Sequence, residues 1–114
     1  MAESYGRDTH LLSRVGEQGG VYIADDVVES ISVIAAQEVD GVDSMSGNIY
    51  KKSVRVEMTE DNVSIDLVIN IKYNYSIPET CAQVQDKVKA AVESMTGLPV
   101  TEVNVKIAGV SIAQ

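Results

Sequence analysis

The chain has 114 residues, enough for one domain with a single hydrophobic core and too few for two. Its formal charge of −8, from 17 acidic and 9 basic residues, opposes non-specific binding to nucleic acid, which depends on Lys and Arg neutralising phosphates. A hydrophobic content of 45% and a charged content of 23% argue against wholesale disorder. The acidic balance fits either simple solubility or an acidic docking surface for a basic partner.

The apolar residues are mostly β-branched, with 18 Val and 10 Ile against 4 Leu and neither Phe nor Trp. Such stiff side chains suit the pleated surface of a sheet. The composition therefore predicts strands.

Three features of the sequence bear on the cellular compartment: its cysteine content, the length of its apolar runs and its first residues. Its single cysteine, Cys81, excludes an internal disulfide and fits a reducing compartment. The longest apolar run is Val33 to Ala36, far below the ~20 residues that span a bilayer. The first residues show no basic stretch followed by an apolar run. We therefore expect a cytoplasmic protein without direct membrane insertion.

The N-terminal part divides into a tail and the start of a domain. Residues 1–19 mix charged, polar and glycine residues without an apolar period, so we predict a flexible tail there and one domain over residues 20–112. Within the domain, Val21–Ile23 is a short apolar segment. It is predicted to form the first strand.

The first predicted helix begins at Asp25 and Asp26, whose charges suit the positive end of the helix dipole. Asp26 and Glu29 have the spacing of a capping box. Apolar residues then recur at helical spacing and predict one buried stripe of Val27, Val28, Ile31, Ile34, Ala35 and Val39. Gly41 is expected to end this helix in the left-handed conformation.

Two alternating segments follow a polar loop predicted over residues 43–52. The first places Val54, Val56 and Met58 on one side. The second is longer and places Val63, Ile65, Leu67, Ile69, Ile71 and Tyr73 on one side. Alternation of this kind is typical of an antiparallel sheet with one face buried and the other in water.

The last part of the chain predicts a second helix and a final strand. Pro78 suits the first helical residue, and Gly97 is expected to end the helix. Its predicted buried stripe contains Cys81, Val84, Val88, Ala91, Val92 and Met95. A strand alternating Val103, Val105 and Ile107 with polar residues completes the order β-α-β-β-α-β. The predicted fold is α+β, a two-layer sandwich with a mainly antiparallel sheet and two helices on one face.

Residues able to carry catalysis are scarce. Cys81 and His10 are the only candidates for a nucleophile and its base, but Cys81 lies on an apolar stripe and His10 in the tail. No spacing of His, Cys or acidic residues matches a metal site. We therefore expect a protein that is not an enzyme and has no catalytic residues, metal or cofactor.

A regulatory nucleic-acid-binding domain is the alternative. The nearest feature to a basic patch is Lys51, Lys52 and Arg55, which also fit a solvated loop and strand edge. The charge of −8 disfavours nucleic acid as a partner.

The uncovered face of the predicted sheet is the candidate interaction surface. Its residues alternate with the buried ones and are Arg55, Glu57, Asp66, Val68, Asn70, Lys72, Asn104 and Lys106. Val68 is the single apolar member, and one exposed Val is normal on any surface. Two interpretations follow: an ordinary solvated face, or a face or neighbouring strand edge that carries homo-oligomer contacts.

Several blocks of the chain resemble the alkaline shock protein family. They are Gly20-Val21-Tyr22-Ile23, Val27-Val28, Ile34-Ala35, Gly41-Val42, Ile77-Pro78-Glu79, Val84-Gln85 with Val88, Met95-Thr96-Gly97-Leu98-Pro99-Val100 and Val103-Asn104-Val105. Two positions depart from the family: Ala24 stands where a Ser or Thr is common, and Asn74 stands where a Gly is common. Asn tolerates the left-handed conformation, so the turn at Asn74 is expected to be kept.

The resemblance implies a function that the residues alone do not. It implies a non-enzymatic bacterial protein of the general and cell-envelope stress response that binds other proteins and itself. Such a protein would be held near the inner face of the membrane by a membrane-anchored partner. The family has no established catalytic residues to carry over.

Overall fold

The computed structural model describes residues 9–14, 20–46, 52–59 and 62–112. In chain order its elements are β1 (Thr9–Arg14), β2 (Gly20–Ala24), α1 (Asp25–Gln37), β3 (Val42–Met45), β4 (Val54–Met58), β5 (Val63–Lys72), α2 (Ile77–Thr96) and β6 (Val100–Ser111). The predicted α+β class, with two helices against a mainly antiparallel sheet, is confirmed. The chain adds two strands to the predicted order, β1 and β3.

β5 is the central strand of the main sheet. β4 and β3 pair antiparallel with β5 one after the other, β4 at Val63–Leu67 and β3 at Ile69–Ile71. β6 pairs with β5 in parallel along its whole length, because α2 carries the chain back to the start of β5. β1 and β2 form a separate antiparallel pair. Among the described strands, β6 therefore forms an edge of the main sheet.

The core lies between the sheet and both helices. Alternate residues of β4 and β5 are buried, as their sequence pattern predicts. α1 packs against β3 and β4, and α2 packs against β6. The fully buried apolar side chains include Ile65, Ile69, Val28, Val84, Val88 and Val92. The sheet is thus covered on one side by two helices.

The predicted stripes were too wide. Three residues of the predicted stripes are exposed: Val27, Ile34 and Met95. The exposed fraction of the residue surface is 60% for Ile34 and 71% for Met95. The buried face of each helix instead includes a polar residue. The hydroxyl of that residue donates a hydrogen bond to a backbone carbonyl of the same helix. Ser32 Oγ donates to the Val28 carbonyl at 2.8 Å, and Thr96 Oγ1 donates to the Val92 carbonyl at 2.6 Å.

Tyr73 was also predicted on the buried row and is exposed. β5 ends one residue earlier, at Lys72, where a turn begins. Asn74 adopts φ 78 in that turn, so the expected left-handed residue is confirmed.

The start and end of α1 differ from prediction. Ala24 is the N-cap and makes no side-chain cap hydrogen bond, so the capping box is wrong, although Asp25 and Asp26 do occupy the first turn. The helix ends at Gln37 with Glu38 as a right-handed C-cap. Gly41 is therefore not the left-handed cap. It is buried and lies where a side chain would meet Thr80 and Tyr75.

The ends of α2 follow prediction closely. Ser76 caps the N-terminus, its hydroxyl accepting from the Glu79 N–H at 3.4 Å, and Pro78 lies in the first turn. Gly97 is the C-cap at φ 75 and donates its N–H to the Glu93 carbonyl at 2.9 Å. The predicted left-handed cap at Gly97 is confirmed.

Gly97→Val is expected to lower the free energy of unfolding by roughly 1–2 kcal/mol. A β-branched residue is strained at φ 75, and the position has no neighbour within 4 Å, so the cost comes from the backbone and not from a clash. Urea denaturation followed by circular dichroism measures the difference. Gly97→Asn is the matched control and is expected to cost less, because Asn tolerates this conformation. Equal stability of the Val variant and the parent would contradict the cap.

β1 and β3 lie in stretches predicted to lack structure. β1 falls within the predicted flexible tail, which is wrong over Thr9–Arg14; residues 1–8 and 15–19 of that tail lie outside the described residues. β3 overlaps the predicted polar loop from Asp43 to Met45. Residues 47–51 of that loop also lie outside the described residues. Both strands are short. β1 is held by backbone pairing to β2, and β3 by backbone pairing to β5. The pattern of side chains in these segments does not predict that pairing. The division into tail and domain stays a prediction.

Candidate interaction surfaces

All eight predicted interface residues lie on the side of the sheet opposite the helices, here called the open face. Across β4, β5 and β6 they form rows. Arg55 on β4 is opposite Asp66 on β5, which is opposite Asn104 on β6. Val68 is opposite Lys106, and Asn70 is opposite Gly109. The period of two in each strand brings these residues together, as predicted. Their role as an interface stays a prediction.

Polar side chains on the open face are joined across strands. Asn104 Nδ2 donates to Asp66 Oδ1 at 2.8 Å, and Asn70 Nδ2 donates to Ser44 Oγ at 3.1 Å. Ser64 and Glu102, which the prediction did not include, make a further link, with Ser64 Oγ donating to Glu102 Oε1 at 3.1 Å. The face therefore has an ordered polar surface.

Charge on the open face is balanced. Three basic residues, Arg55, Lys72 and Lys106, share it with three acidic ones, Glu57, Asp66 and Glu102. The basic residues that came nearest to a patch in the sequence do not gather there, because Lys52 Nζ lies 3.3 Å from Glu29 Oε1 of α1. Lys51 lies outside the described residues.

Val68 occupies the centre of the open face and is only half-buried. Its N–H donates to the Ser53 carbonyl at 2.8 Å, and its carbonyl accepts from the Ser46 N–H at 2.9 Å. Both backbone groups are thus fixed while part of the apolar side chain faces outward. Val68 is the apolar point of an otherwise polar surface.

A second surface, which we call the apolar end, was not predicted. It consists of large apolar side chains that are exposed where β5 and β6 finish: Tyr73, Tyr75, Ile77, Val110 and Ile112. Tyr73 donates its N–H to the Ser111 carbonyl at 2.8 Å, which joins the two strand ends. Ile112 is 75% exposed. These residues are far apart in sequence, so only the parallel pairing of β5 and β6 reveals the group.

The catalytic candidates are placed in different elements. His10 is on β1, opposite Ile23, and Cys81 is near the start of α2. Cys81 packs against the core, and burial raises the pKa of its thiol, which lowers the thiolate fraction at neutral pH. In the described ranges, no group of three or more His, Cys, Asp or Glu could hold a metal ion.

An open groove between the end of α1 and α2 is a candidate site for a small ligand. Its lining includes Glu38, Asp40, Asp86 and Lys87. Lys87 Nζ lies 3.4 Å from Glu38 Oε1, and both side chains are more than half exposed. An exposed ion pair of this kind contributes little and is ordinary on a surface.

Comparison with known proteins decides the family. The sequence model of the alkaline shock protein 23 family, described as having a cell envelope-related function, matches residues 13–112. The chain belongs to this family. The resemblance seen in its sequence blocks is confirmed.

Individual relatives agree with this assignment. The chain is 36% identical over 115 residues to YqhY, an uncharacterised protein of Bacillus subtilis, a match that covers 90% of this chain and 80% of that one. It is 28% identical over 120 residues to a stress response regulator gls24 homolog of Streptococcus pyogenes, covering 94% of this chain and 67% of the relative. Members of the family thus include a protein named for the stress response.

The fold itself occurs in an otherwise distant protein. A MamM CTD structure matches with a TM-score of 0.52 at 19% identity, over 75% of this chain and 95% of that chain. At this identity the likeness shows the fold alone. As for the membrane, none of the helices in the described part of the chain is long and apolar enough to cross it.

Proposed function

We propose that this chain is a non-enzymatic scaffold of the cell-envelope stress response that associates with itself and docks on other proteins. The family's cell envelope-related function and the relative named as a stress response regulator support the setting. Under this proposal the protein works in the cytoplasm, at the inner face of the membrane, and a membrane-anchored partner holds it there.

The open face is the observation that carries the proposal. Both helices lie on one side of the sheet, so in the described part of the chain nothing covers the other side. That side combines balanced charges with a central, half-buried Val68. Protein–protein interfaces have this mixture of an apolar centre and a polar rim. No observation favours the nucleic-acid alternative, because the basic residues of this face are matched by acidic ones.

Val68→Lys is expected to lower the oligomer mass measured by light scattering. The substitution adds a charge at the apolar centre of the open face, where a partner's surface would desolvate it. The circular dichroism spectrum and the melting temperature are expected to change little, because Val68 is not part of the core. Asp66→Lys tests a neighbouring position on the same face.

Ile112→Lys is the matched control at the apolar end, where the residue is exposed and outside the core. If Ile112→Lys lowers the oligomer mass and Val68→Lys does not, the copies meet at the apolar end, and the open-face proposal is wrong. If the parent and all variants run alike as one assembly, the open face is likewise excluded.

A further inference from the structure

The outer edge of β6 is a long unpaired strand edge. β6 pairs with β5, and among the described residues no strand lies on its other side. The pairing is regular from Glu102 to Ile107, between register shifts at Val100/Glu102 and at Ile107/Gly109. A long, regular edge whose backbone is not paired with another strand is a template for one.

The hydrogen bonds of β5 show which residues face which neighbour. Val68 donates its N–H to the Ser53 carbonyl at 2.8 Å, on the β4 side. Val63 donates its N–H to the Pro99 carbonyl at 2.9 Å, on the β6 side. Because backbone groups alternate along a strand, the odd-numbered residues at the start of β5 face β6.

The outward-facing groups of β6 follow from this. In a parallel pair a residue bonds to the two residues that flank its partner, so Ile65, whose partner is Val103, bonds to Glu102 and Asn104. The backbone groups that point outward in the regular segment are then those of Val103, Val105 and Ile107. Thr101 lies at the register shift, where Val63, whose partner is Val100, bonds to the flanking Pro99 and Thr101. Gln85 agrees, since its Nε2 donates to the Val103 carbonyl from α2 at 3.0 Å. This carbonyl oxygen has a second acceptor position, which stays open to the N–H of another strand.

The charges of β6 select one self-pairing register. Two copies of β6 can run antiparallel about a twofold axis that passes beside Asn104, so that the two Asn104 residues lie opposite each other. Glu102 of each copy then lies opposite Lys106 of the other. Val103 of each copy then lies opposite Val105 of the other, and the outward backbone groups of these two residues can bond to each other. An axis at Glu102 or Lys106 would place like charges together, and an axis at Val103 or Val105 would leave both charges unmatched. The axis at Asn104 also lies within the regular segment.

We propose that a second copy of this chain pairs with β6 in this register and joins the two sheets into one. The inference rests on the self-association in the proposed function and adds to the open face a second contact, at the neighbouring strand edge. Glu102 and Lys106 occupy the non-hydrogen-bonded pairs, where side chains are closest. On the helix side, pairing covers the half-buried Val103, Val105 and Ile107.

Charge reversal tests the register. Lys106→Glu faces Glu102 of the other copy with a like charge at two symmetric places, so the dimer Kd is expected to rise roughly tenfold or more. Glu102→Lys is expected to act in the same way. The double variant Glu102→Lys with Lys106→Glu restores opposite charges and is expected to recover the parent Kd. Sedimentation equilibrium at low salt measures all four, with circular dichroism to show that each is folded.

A disulfide tests the axis directly. In a Cys81→Ser background, Asn104→Cys brings two cysteines together at a narrow pair, with Cα atoms about 4.5 Å apart, within disulfide range. Mild oxidation is expected to give a covalent dimer on a non-reducing gel. Ala90→Cys, at an exposed position of α2 outside both proposed contacts, is the control and is expected to remain monomeric on that gel.

The outcomes separate the two proposals. A parent that dimerises while Lys106→Glu leaves its Kd unchanged and Asn104→Cys does not cross-link overturns the β6 contact and leaves self-association standing. A parent that stays monomeric at every concentration overturns both. Weakened single charge variants, a recovered double variant and a cross-link at position 104 support the β6 dimer.

Discussion

Val88→Asp is expected to lower the free energy of unfolding by about 3 kcal/mol or more. Val88 is fully buried in the middle of α2, with Val84 and Val92 equally buried one turn away on either side. A carboxylate there is removed from water without a basic partner among the core residues. Urea denaturation followed by circular dichroism gives the difference directly.

Ala90→Asp is the matched control for this change. It adds the same charge to the same helix, two residues further on, at an exposed position. Its expected cost is about 0.7 kcal/mol or less, from helix propensity alone. A Val88→Asp variant as stable as the Ala90→Asp variant would show that this side of α2 is not buried against the sheet.

Gly41→Ala is expected to cost roughly 1–3 kcal/mol by overpacking. A Cβ at this position would lie 2.7 Å from Thr80 Oγ1 and 2.8 Å from Tyr75 Cδ2. Thr80 is buried in α2 and cannot move freely. The Gly41 carbonyl also accepts from the Lys72 N–H at 2.9 Å, which holds the backbone in place. Thermal and urea denaturation measure the loss.

Thr80→Ala provides the test of mechanism. Removing the Thr80 hydroxyl and methyl makes room, so Gly41→Ala is expected to cost less in a Thr80→Ala background than in the parent. Gly109→Ala is the control for glycine itself, since its Cβ would meet only the Asn70 Oδ1, at 3.1 Å. Equal costs of Gly41→Ala in both backgrounds would contradict the close approach.

The main sheet and both helices were predictable because their signals are local. The period of two in Val63, Ile65 and Leu67 decides which side of β5 is buried, and the steps from Val84 to Val88 and Val92 decide it for α2. Gly97 and Asn74 were predictable for the same reason, since a left-handed turn favours particular residues at one position.

Features that depend on distant neighbours were not predictable. Met95 and Ile34 have the right spacing for a buried stripe but lie beyond the width that the sheet covers. Gly41 lies shortly after the end of α1, but it is not a helix cap. A glycine is required there because Thr80 of α2 and Tyr75 of the turn before α2 come close to its backbone. β3 contains Asp43 and Ser44, and only the end of β5 makes it a strand.

The candidate surfaces divide in the same way. The open face follows from alternation within each strand, so its eight residues could be named from the sequence. The apolar end needs the register of β5 with β6, which sets Lys72 opposite Ser111 and so brings Tyr73 and Ile112 to one end. The outward edge of β6 needs that register and the hydrogen bonds of β5 as well.

Sedimentation velocity of the unmodified chain over a range of concentrations tests the central claim, self-association, most directly. The scaffold proposal predicts a weight-average mass that rises above the 12.3 kDa of one chain as concentration increases. Addition of salt is expected to weaken the assembly, because opposite charges contribute to the contact. A mass that stays at 12.3 kDa at every concentration would contradict the account.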